Sequence, residues 1–535
     1  MNTKYSNSIV NPILSGFYPD PSICRVESNF YLVNSTFAYF PGIPVFHSND
    51  LIHWKQIGSA IDRPGQLCYD GHQISQGLFA PTIRYNQGVF YILCTLIDTG
   101  GNFIITAKDP AGPWSDPVWL KEADGIDPSI FFDDDGKVWY CGTHPAPEGE
   151  AYNGNYEIYI QEINLSLLSA GKNPLTSKST GIWRGALRDS IWPEGPHIYK
   201  INGWYYLLHA EGGTGPDHAV CVARAKNIRG PWEGKKSNPV LTHRHLGKNT
   251  DIINVGHADL FDDTNENWWM VLLASRPHYG VCPLGRETFM VPVHWENDWP
   301  CISSKSGLVE TEYDLPPLPI TNADPEWSYE PACDHFNGKL PPHWLTLRMP
   351  VNKKDSAVGF NSHSGALRLF TKPATMRGLE HPAFAGRRIK HKNWAFSAAF
   401  DFSPKPTGES AGIILLQSEN YQYRLEICIG LSTKASLRLI RASGKNDETM
   451  AEAECPVTEK QIVLAARCEE MALSFFCGKD QYSLKCFSDH HDAKILSTEF
   501  SGGFTGLIAG VFASGNGKDT EHYADVLWAE YKEIL

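Results

Sequence analysis

Two short stretches place a carboxylate in the same setting: Asp20 in "FYPDPSI" (residues 17–23) and Asp127 in "GIDPSIF" (residues 125–131). A third carboxylate, Glu194, lies in "WPEGPHI", where proline and apolar neighbours would desolvate it. Desolvation raises the pKa of a carboxyl group, as a general acid working near neutral pH requires. For the two aspartates the alternative is a local role, in which each caps a turn by accepting backbone N–H groups.

The turn that holds each aspartate belongs to a unit that recurs five times. Each copy has a small or proline turn, a short apolar strand, a polar turn and a second strand rich in aromatic and β-branched residues, which is typical of a β-hairpin. The copies begin near residues 20, 80, 127, 195 and 257, about 47–68 residues apart. This spacing predicts a five-bladed β-propeller. The alternative is five unrelated hairpins in a sandwich.

In a propeller the innermost strand of each blade lines a central channel, so the recurring turn would reach that channel from five directions. The aligned positions are Asp20, Ala80, Asp127, Gly195 preceded by Glu194, and His257. The repeat therefore predicts that three carboxylates and one histidine, distant in sequence, meet in one place.

Beyond about residue 300 the recurring hairpin unit is no longer found and the sequence pattern changes. Residues 314–331 are rich in proline and predict an extended connector. Short alternating strands follow, such as "WAFSAAFDF" at 394–402 and "YQYRLEI" at 421–427, and this pattern is typical of a β-sandwich. We therefore expect an all-β protein with a propeller over residues 1–313, a connector over 314–331 and a sandwich over 332–535.

Composition excludes several classes of partner. The net charge of −13 in 535 residues argues against binding to nucleic acid or to an anionic membrane, since both need a cationic surface. The sequence has no run of about 18 apolar residues and no apolar leader segment. Its 13 cysteines are irregularly spaced and contain no C-x-x-C pair, which fits reduced thiols. We expect a cytoplasmic protein that binds neither nucleic acid nor membranes.

Four longer stretches carry a resemblance to a known family: "NPILSGFYPDPSI" from residue 11, "GIDPSIFFDDDGK" from residue 125, "WPEGPHIYKINGWYYLL" from residue 192 and "LGRETF" from residue 284. Together they resemble glycoside hydrolase family 43, in its two-domain β-xylosidase/α-L-arabinofuranosidase form. The resemblance implies a five-bladed propeller with an appended β-sandwich, and hydrolysis with inversion at the anomeric carbon. It implies that Asp20 is the general base, Glu194 the general acid, and Asp127 the residue that orients the acid and tunes its pKa.

The same resemblance assigns further residues to a sugar pocket. Arg286 would donate hydrogen bonds to the terminal sugar, and Phe37 and Phe79 would be the aromatic walls of the pocket, although many family members have Trp where Phe79 stands. Phe504 would be a sandwich residue that reaches over the active site. His257 matches a histidine near a channel ion or its waters. The resemblance thus implies a structural Ca²⁺ or Na⁺ and no cofactor for the chemistry. For Arg286 the alternative is an ion pair, and for His257 a hydrogen-bonded core histidine.

These observations lead to competing hypotheses on function. The first is an exo-acting β-xylosidase that removes terminal xylose from short β-1,4-xylo-oligosaccharides. The alternative in the same class is an α-L-arabinofuranosidase, or an enzyme with both activities. From another class, a sugar-binding propeller without catalysis would not need a carboxylic acid of raised pKa. A glycosyltransferase lacks support because no nucleotide-binding motif is present. The expected partner is a small oligosaccharide, and a homo-oligomer is left open because sandwich faces often pair.

Overall fold

The computed structural model describes residues 8–302, 306–316, 330–351, 356–406, 408–430, 434–456 and 461–535. Regular structure in these ranges is almost entirely β-strand. The helical segments are short: α1 (Leu165–Ser169), α2 (Thr498–Ser501) and the 3₁₀ turns Arg244–Leu246 and Ala493–Leu496. No helix of the described ranges is long and apolar enough to cross a bilayer. The all-β prediction is confirmed.

Five four-stranded antiparallel sheets form the blades of a propeller. Up to the end of the second blade the strands are β1 (Ser8–Val10), β2 (Ser22–Val26), β3 (Asn29–Val33), β4 (Tyr39–Phe40), β5 (Gly42–Ser48), β6 (Lys55–Ile61), β7 (Leu78–Asn86), β8 (Val89–Leu96), β9 (Gly101–Ala107) and β10 (Val118–Trp119). The third blade has β11 (Ile126–Phe132), β12 (Val138–Pro145), β13 (Tyr156–Ile163) and β14 (Thr180–Trp183). The last two blades have β15 (Glu194–Ile201), β16 (Trp204–Glu211), β17 (Ala219–Ala225), β18 (Glu233–Gly234), β19 (Ile253–Asp262), β20 (Trp268–Ser275), β21 (Glu287–Glu296) and β22 (Trp299–Ile302).

The blades close into a ring. Each sheet follows the chain, with β2-β3-β5-β6 as the first blade, and the first strands of neighbouring blades contact one another from β2 through β7, β11, β15 and β19 back to β2. After the fifth blade the chain returns as β23 (Glu312–Asp314), which pairs with β1. The amide of Asn11 ties the two ends together by donating to the carbonyl oxygens of Met290 and Glu310, at 2.8 and 3.0 Å. The five-bladed propeller is confirmed, and the alternative of five unrelated hairpins is wrong.

Each blade has one residue of left-handed backbone at the same place in its repeat. The φ angles are 52° at Asp20, 35° at Ala80, 54° at Asp127, 57° at Gly195 and 47° at His257. In blades two to five the pairing register of the first strand shifts at this residue, as in a β-bulge. Bulges re-aim the side chains around them, which explains how the recurring turn presents different groups to one channel.

The C-terminal part is a sandwich of two eight-stranded sheets. Its strands are β24 (Cys333–Asp334), β25 (Trp344–Leu347), β26 (Val358–Phe360), β27 (Leu367–Phe370), β28 (Ala383–Arg388), β29 (Trp394–Asp401), β30 (Ser410–Ser418), β31 (Tyr421–Ile429), β32 (Ala435–Ser443), β33 (Asn446–Glu454), β34 (Gln461–Glu469), β35 (Ala472–Gly478), β36 (Lys485–Asp492), β37 (Ile508–Ser514) and β38 (Tyr523–Glu533). One sheet runs β26-β27-β38-β29-β34-β35-β36, with β24 beside β38. The other runs β33-β32-β31-β30-β37-β28-β25-β4. The predicted sandwich is therefore present.

The second sheet of the sandwich ends on a strand that comes from the propeller. β4 lies in the loop between two strands of the first blade and pairs with β25, Phe40 opposite Thr346 and Tyr39 opposite Leu347. Buried side chains of both parts share one apolar cluster around this junction. The boundaries predicted at 313 and 332 stay predictions, because residues 317–329, most of the predicted connector, lie outside the described residues.

Candidate active site

A cavity of about 550 Å³ opens at the propeller channel and is lined by all five blades and by the sandwich. It contains all eight side chains that the sequence assigned to a site: Asp20, Phe37, Phe79, Asp127, Glu194, His257, Arg286 and Phe504. The first strands of four blades each carry one of these residues (Phe79, Asp127, Glu194 and His257), and Asp20 lies just before the first strand of the remaining blade. The repeat pattern therefore identified a real convergence in space, even though these residues are spread over 485 positions of the chain (20 to 504).

Asp20 is held by two strong donors. Its Oδ1 accepts a hydrogen bond from Arg286 Nη1 at 2.7 Å, and its Oδ2 accepts one from the hydroxyl of Ser35 at 2.6 Å. Burial alone would raise the pKa of Asp20, but the charges of Arg286 and His257 and the Ser35 hydrogen bond outweigh burial and lower that pKa. Asp20 is therefore an ionised carboxylate. The donors that hold this carboxylate are a guanidinium and a hydroxyl.

Glu194 has the opposite electrostatic setting. Burial raises its pKa well above the usual range, and the negative charges of Asp127 and then Asp20 raise it further. The charge of Arg286 acts in the other direction but is the smallest of these effects. A carboxyl group whose pKa is raised keeps its proton to higher pH than usual and is suited to donate it.

Asp127 lies between Asp20 and Glu194 in the sequence. Its Oδ2 accepts a hydrogen bond at 2.9 Å from the backbone N–H of Gly195, the residue directly after Glu194. Burial raises the pKa of Asp127, the charge of Asp20 adds to that increase, and His257 and the Gly195 N–H oppose it. Asp127 therefore fixes the backbone that carries Glu194 and also acts on its pKa.

Three phenylalanine rings form one aromatic wall. The ring centre of Phe37 lies 5.1 Å from that of Phe79 and 6.1 Å from that of Phe504, and Phe79 and Phe504 are 5.8 Å apart. Phe504 comes from the loop before β37, and its backbone N–H donates to the Ser75 hydroxyl at 3.0 Å. The sandwich thus supplies part of the cavity and is hydrogen-bonded to the propeller at this point.

Arg286 forms the ion pair that was its alternative role, and it also faces the cavity. Besides Asp20, its Nη2 donates to the backbone oxygen of Phe504 at 3.4 Å, and the guanidinium lies 5.9 Å from the centre of the Phe37 ring. Arg286 therefore links the charged and the aromatic parts of the wall.

His257 also lines the cavity, but the side chains around it do not form a complete metal site. Among the described residues, the sets of three ligand atoms close enough to share one ion are His209, Glu211 and Cys221, and His294, Glu296 and Cys301. Neither includes His257, so any ion beside it would need water or backbone ligands. The Ca²⁺ or Na⁺ near His257 stays a prediction.

Beyond the cavity, side chains on the first strands of the blades form hydrogen bonds across the propeller channel. Arg84 donates from Nη1 and Nη2 to the two carboxylate oxygens of Asp259, at 2.7 and 2.8 Å. Asp259 also accepts from the Ser22 hydroxyl at 2.6 Å, and Arg84 Nη2 lies 3.1 Å from His197 Nδ1. These four residues, which we call the channel-closing network, come from blades one, two, four and five. The cavity is therefore shut on this side by buried, paired charges.

Sequence reasoning missed several residues of the site. Ser35 lies two positions before Phe37, but nothing in "NST" indicated a bond to Asp20. The cavity lining also includes Tyr156, Trp192 and Gly212–Gly215. Of these, Trp192 opens the motif "WPEGPHI" and the glycines stand in "EGGTG", but neither stretch indicated a place in the cavity wall.

Known proteins match both parts of the chain. The family model described as "Glycosyl hydrolases family 43" matches residues 9–300, and the one described as "Beta xylosidase C-terminal Concanavalin A-like domain" matches residues 333–532. A xylosidase/arabinosidase of Butyrivibrio fibrisolvens is 42% identical over 534 residues, which is 98% of this chain and 99% of the relative.

Two further matches cover nearly the full length. A non-reducing end α-L-arabinofuranosidase of Bacteroides ovatus is 35% identical over 98% of this chain and 94% of its own. The crystal structure of a xylan β-1,4-xylosidase from Bacillus halodurans has a TM-score of 0.88 at 30% identity, over 98% of this chain and 100% of that one. Because the first family model covers more than half of the chain and the relatives match it almost end to end, the chain belongs to glycosyl hydrolase family 43 and is a glycoside hydrolase.

Proposed function

We propose that this protein is an inverting exo-glycosidase that removes terminal β-1,4-linked D-xylose from short xylo-oligosaccharides. One observation carries the proposal: a single cavity holds one carboxyl group whose pKa is lowered, Asp20, and one whose pKa is raised, Glu194. A base that stays ionised and an acid that stays protonated are the pair that single displacement at a sugar carbon needs.

In the proposed reaction, Asp20 accepts a proton from a water molecule as that water attacks the anomeric carbon of the terminal sugar. Glu194 donates its proton to the oxygen of the leaving group as the glycosidic bond breaks. Attack from the face opposite the leaving group inverts the anomeric centre. Asp127 positions Glu194 through the Gly195 N–H and holds its pKa high.

The shape of the cavity supports attack on a chain end. The channel-closing network shuts the inner side, and Phe504 of the sandwich lies against Phe37 and Phe79 at the aromatic wall. A polymer could not pass through such a cavity, so one terminal sugar would enter at a time. We further propose that its substrates are short oligosaccharides in the cytoplasm, which assays of cell fractions would test.

The function is tested with purified protein on xylobiose and xylotriose, followed by chromatography of the products. We expect stepwise release of xylose, and proton NMR of fresh product should detect α-xylose before mutarotation. First appearance of the β-anomer would contradict inversion, and internal cleavage of long xylan would contradict the exo mode.

Activity should survive dialysis against EDTA, since two carboxylates and water suffice for the reaction. A loss that Ca²⁺ restores would assign an ion to the channel.

An α-L-arabinofuranosidase is the second candidate. Phe79 offers a smaller ring than the Trp of many family members, which favours a compact furanose, and relatives named for each activity occur at similar identity. Rates on matched aryl β-D-xylopyranosides and aryl α-L-arabinofuranosides decide between them. Xylobiose left intact while arabinose is released from decorated oligosaccharides would make this the main activity.

A further inference from the structure

The cavity wall beside Glu194 is built differently from the phenylalanine wall beside Asp20. It consists of Trp192, two residues before Glu194, together with Tyr156 and the loop Gly212–Gly215. None of these residues has a part in the acid–base steps described above.

The indole of Trp192 is seated between two glycines. A Cβ atom added to Gly213 would lie 2.7 Å from the Cε3 atom of Trp192, and one added to Gly154 would lie 3.0 Å from its Cε2 and Nε1 atoms. Both glycines have left-handed backbone, with φ of 67° at Gly213 and 82° at Gly154. The ring position therefore depends on the absence of side chains at these two sites.

The backbone around Trp192 is fixed on each side. The Trp192 N–H donates to the oxygen of Gly154 at 2.8 Å, and the Gly212 N–H donates to the oxygen of Ile191 at 2.8 Å. The carbonyl of Pro193 accepts from the Thr143 hydroxyl at 2.6 Å. Trp192 is thus a rigid surface whose distance from Glu194 is set by neighbouring strands.

A buried carboxylate anchors the segment that leads to Trp192. Glu211 accepts from the Ala186 N–H at 2.6 Å and from the Ser190 hydroxyl at 3.0 Å, and its Oε1 lies 2.9 Å from His209 Nε2. Burial would raise the pKa of Glu211, but these partners outweigh burial and lower it. Glu211 therefore ties Ala186 and Ser190 of this segment to the end of β16.

We infer that Trp192, with the Gly212–Gly215 loop, is the platform on which the leaving group of the substrate binds. The inference rests on the proposed function: an acid protonates the leaving-group oxygen, so the leaving group must lie on the Glu194 side of the cavity. An indole face suits a group with an apolar C–H or aromatic face. The ligand class is a pyranose unit at the reducing side of the scissile bond, or an aryl aglycone in its place.

Trp192→Ala and Trp192→Phe test this inference. With Trp192→Ala we expect kcat/KM on xylobiose to fall about tenfold more than on methyl β-xyloside, a loss of the size of one ring contact. Most of that loss should appear in KM, and Trp192→Phe should recover part of it. The inhibition constant of free xylose should change less than about twofold, because a single sugar occupies the other side of the cavity.

Phe79→Ala is the matched control, because it removes a ring from the phenylalanine wall formed with Phe37 and Phe504. It should weaken inhibition by xylose and reduce kcat/KM on xylobiose and methyl β-xyloside alike. Gly213→Ala displaces the indole without removing it and should act in the same direction as Trp192→Ala. Equal losses on xylobiose and methyl β-xyloside for Trp192→Ala, or a xylose inhibition constant raised as much as in Phe79→Ala, would overturn the platform. Wild-type protein that releases no xylose would overturn the proposed function instead, so the two failures are distinguishable.

Discussion

Asp20 and Glu194 occupy one cavity and are buried to a similar degree, with 5% and 9% of their surface exposed. Burial acts on both carboxyl groups in the same direction, yet the pKa of Asp20 is lowered and that of Glu194 is raised. The difference comes from their neighbours, since Asp20 is paired with Arg286 and Ser35, whereas Glu194 faces Asp127 and Asp20. In this site, neighbouring groups decide which carboxyl group has a lowered pKa and which has a raised one.

Among the variants of this site, Asp20→Asn should have the largest effect. It removes the proposed base and keeps the shape of the side chain. We expect activity to fall by roughly 10²–10⁴-fold, the usual worth of one general base, and to fall alike for all leaving groups. Initial rates on xylobiose and on aryl xylosides with phenols of different acidity measure the effect. An unchanged thermal midpoint serves as the control for folding, and a rate near that of the wild type would exclude Asp20 as the base.

Glu194→Gln removes the acid and should discriminate between substrates. We expect a loss of roughly 10²-fold or more on xylobiose, whose leaving alcohol needs a proton. Aryl xylosides with acidic phenols should lose much less because their leaving groups depart as anions. The same series of substrates is used as for Asp20→Asn. Equal losses for both variants across the series would contradict the assignment of separate roles.

Arg286→Met removes the charge that lowers the pKa of Asp20. The pKa of Asp20 should rise, so a higher pH is needed to ionise the proposed base. In the plot of kcat/KM against pH, the acidic limb should therefore move upward by roughly one to two pH units. Arg286→Lys is the control, since it keeps the charge and should move the limb less. An acidic limb that stays in place in Arg286→Met would show that another group controls it.

Asp127→Asn removes a negative charge from beside Glu194. The pKa of Glu194 should then fall, so the acid loses its proton at lower pH and the basic limb of kcat/KM should move downward by up to roughly one unit. The acidic limb should stay in place, because Arg286, His257 and Ser35 lower the pKa of Asp20 and are unchanged in this variant. A basic limb that moves upward would contradict this electrostatic role.

Ser35→Ala is the smallest change, because it removes one neutral donor from Asp20. The acidic limb of the pH profile should move upward by roughly 0.4–1 pH unit, as expected for one hydrogen bond worth about 0.5–1.5 kcal/mol. The Ser35 hydroxyl also accepts from the Ala80 N–H at 2.7 Å, so the thermal midpoint should fall slightly. Ser35→Thr, which keeps the hydroxyl, should stay closer to the wild type.

The part of this site that repeats could be predicted from the sequence. Each blade has a residue of left-handed backbone at the same place in its repeat, and a repeated backbone leaves a repeated sequence pattern. That pattern identified Asp20, Asp127, Glu194 and His257. The sandwich was predictable from alternating strands for a similar reason. In each case, local structure repeats along the chain and can be recognised from one copy to the next.

The part that depends on single long-range contacts could not be predicted from residue patterns. Arg286 is 266 positions from Asp20, and the seat of Trp192 needs Gly154 and Gly213 from two other segments. No local preference of Ser35 or Trp192 indicates such a partner. The pairing of β4 with the sandwich belongs to the same group, since a two-residue strand has no recognisable pattern.

The channel-closing network has a consequence for product release in the proposed reaction. If Arg84 and Asp259 shut the inner side, the released terminal sugar lies behind the remainder of the chain it came from. In the proposed reaction, the shortened oligosaccharide must therefore leave first and the monosaccharide second. A monosaccharide that rebinds before the next oligosaccharide arrives blocks the same entrance, so accumulation of product slows turnover by competition with substrate.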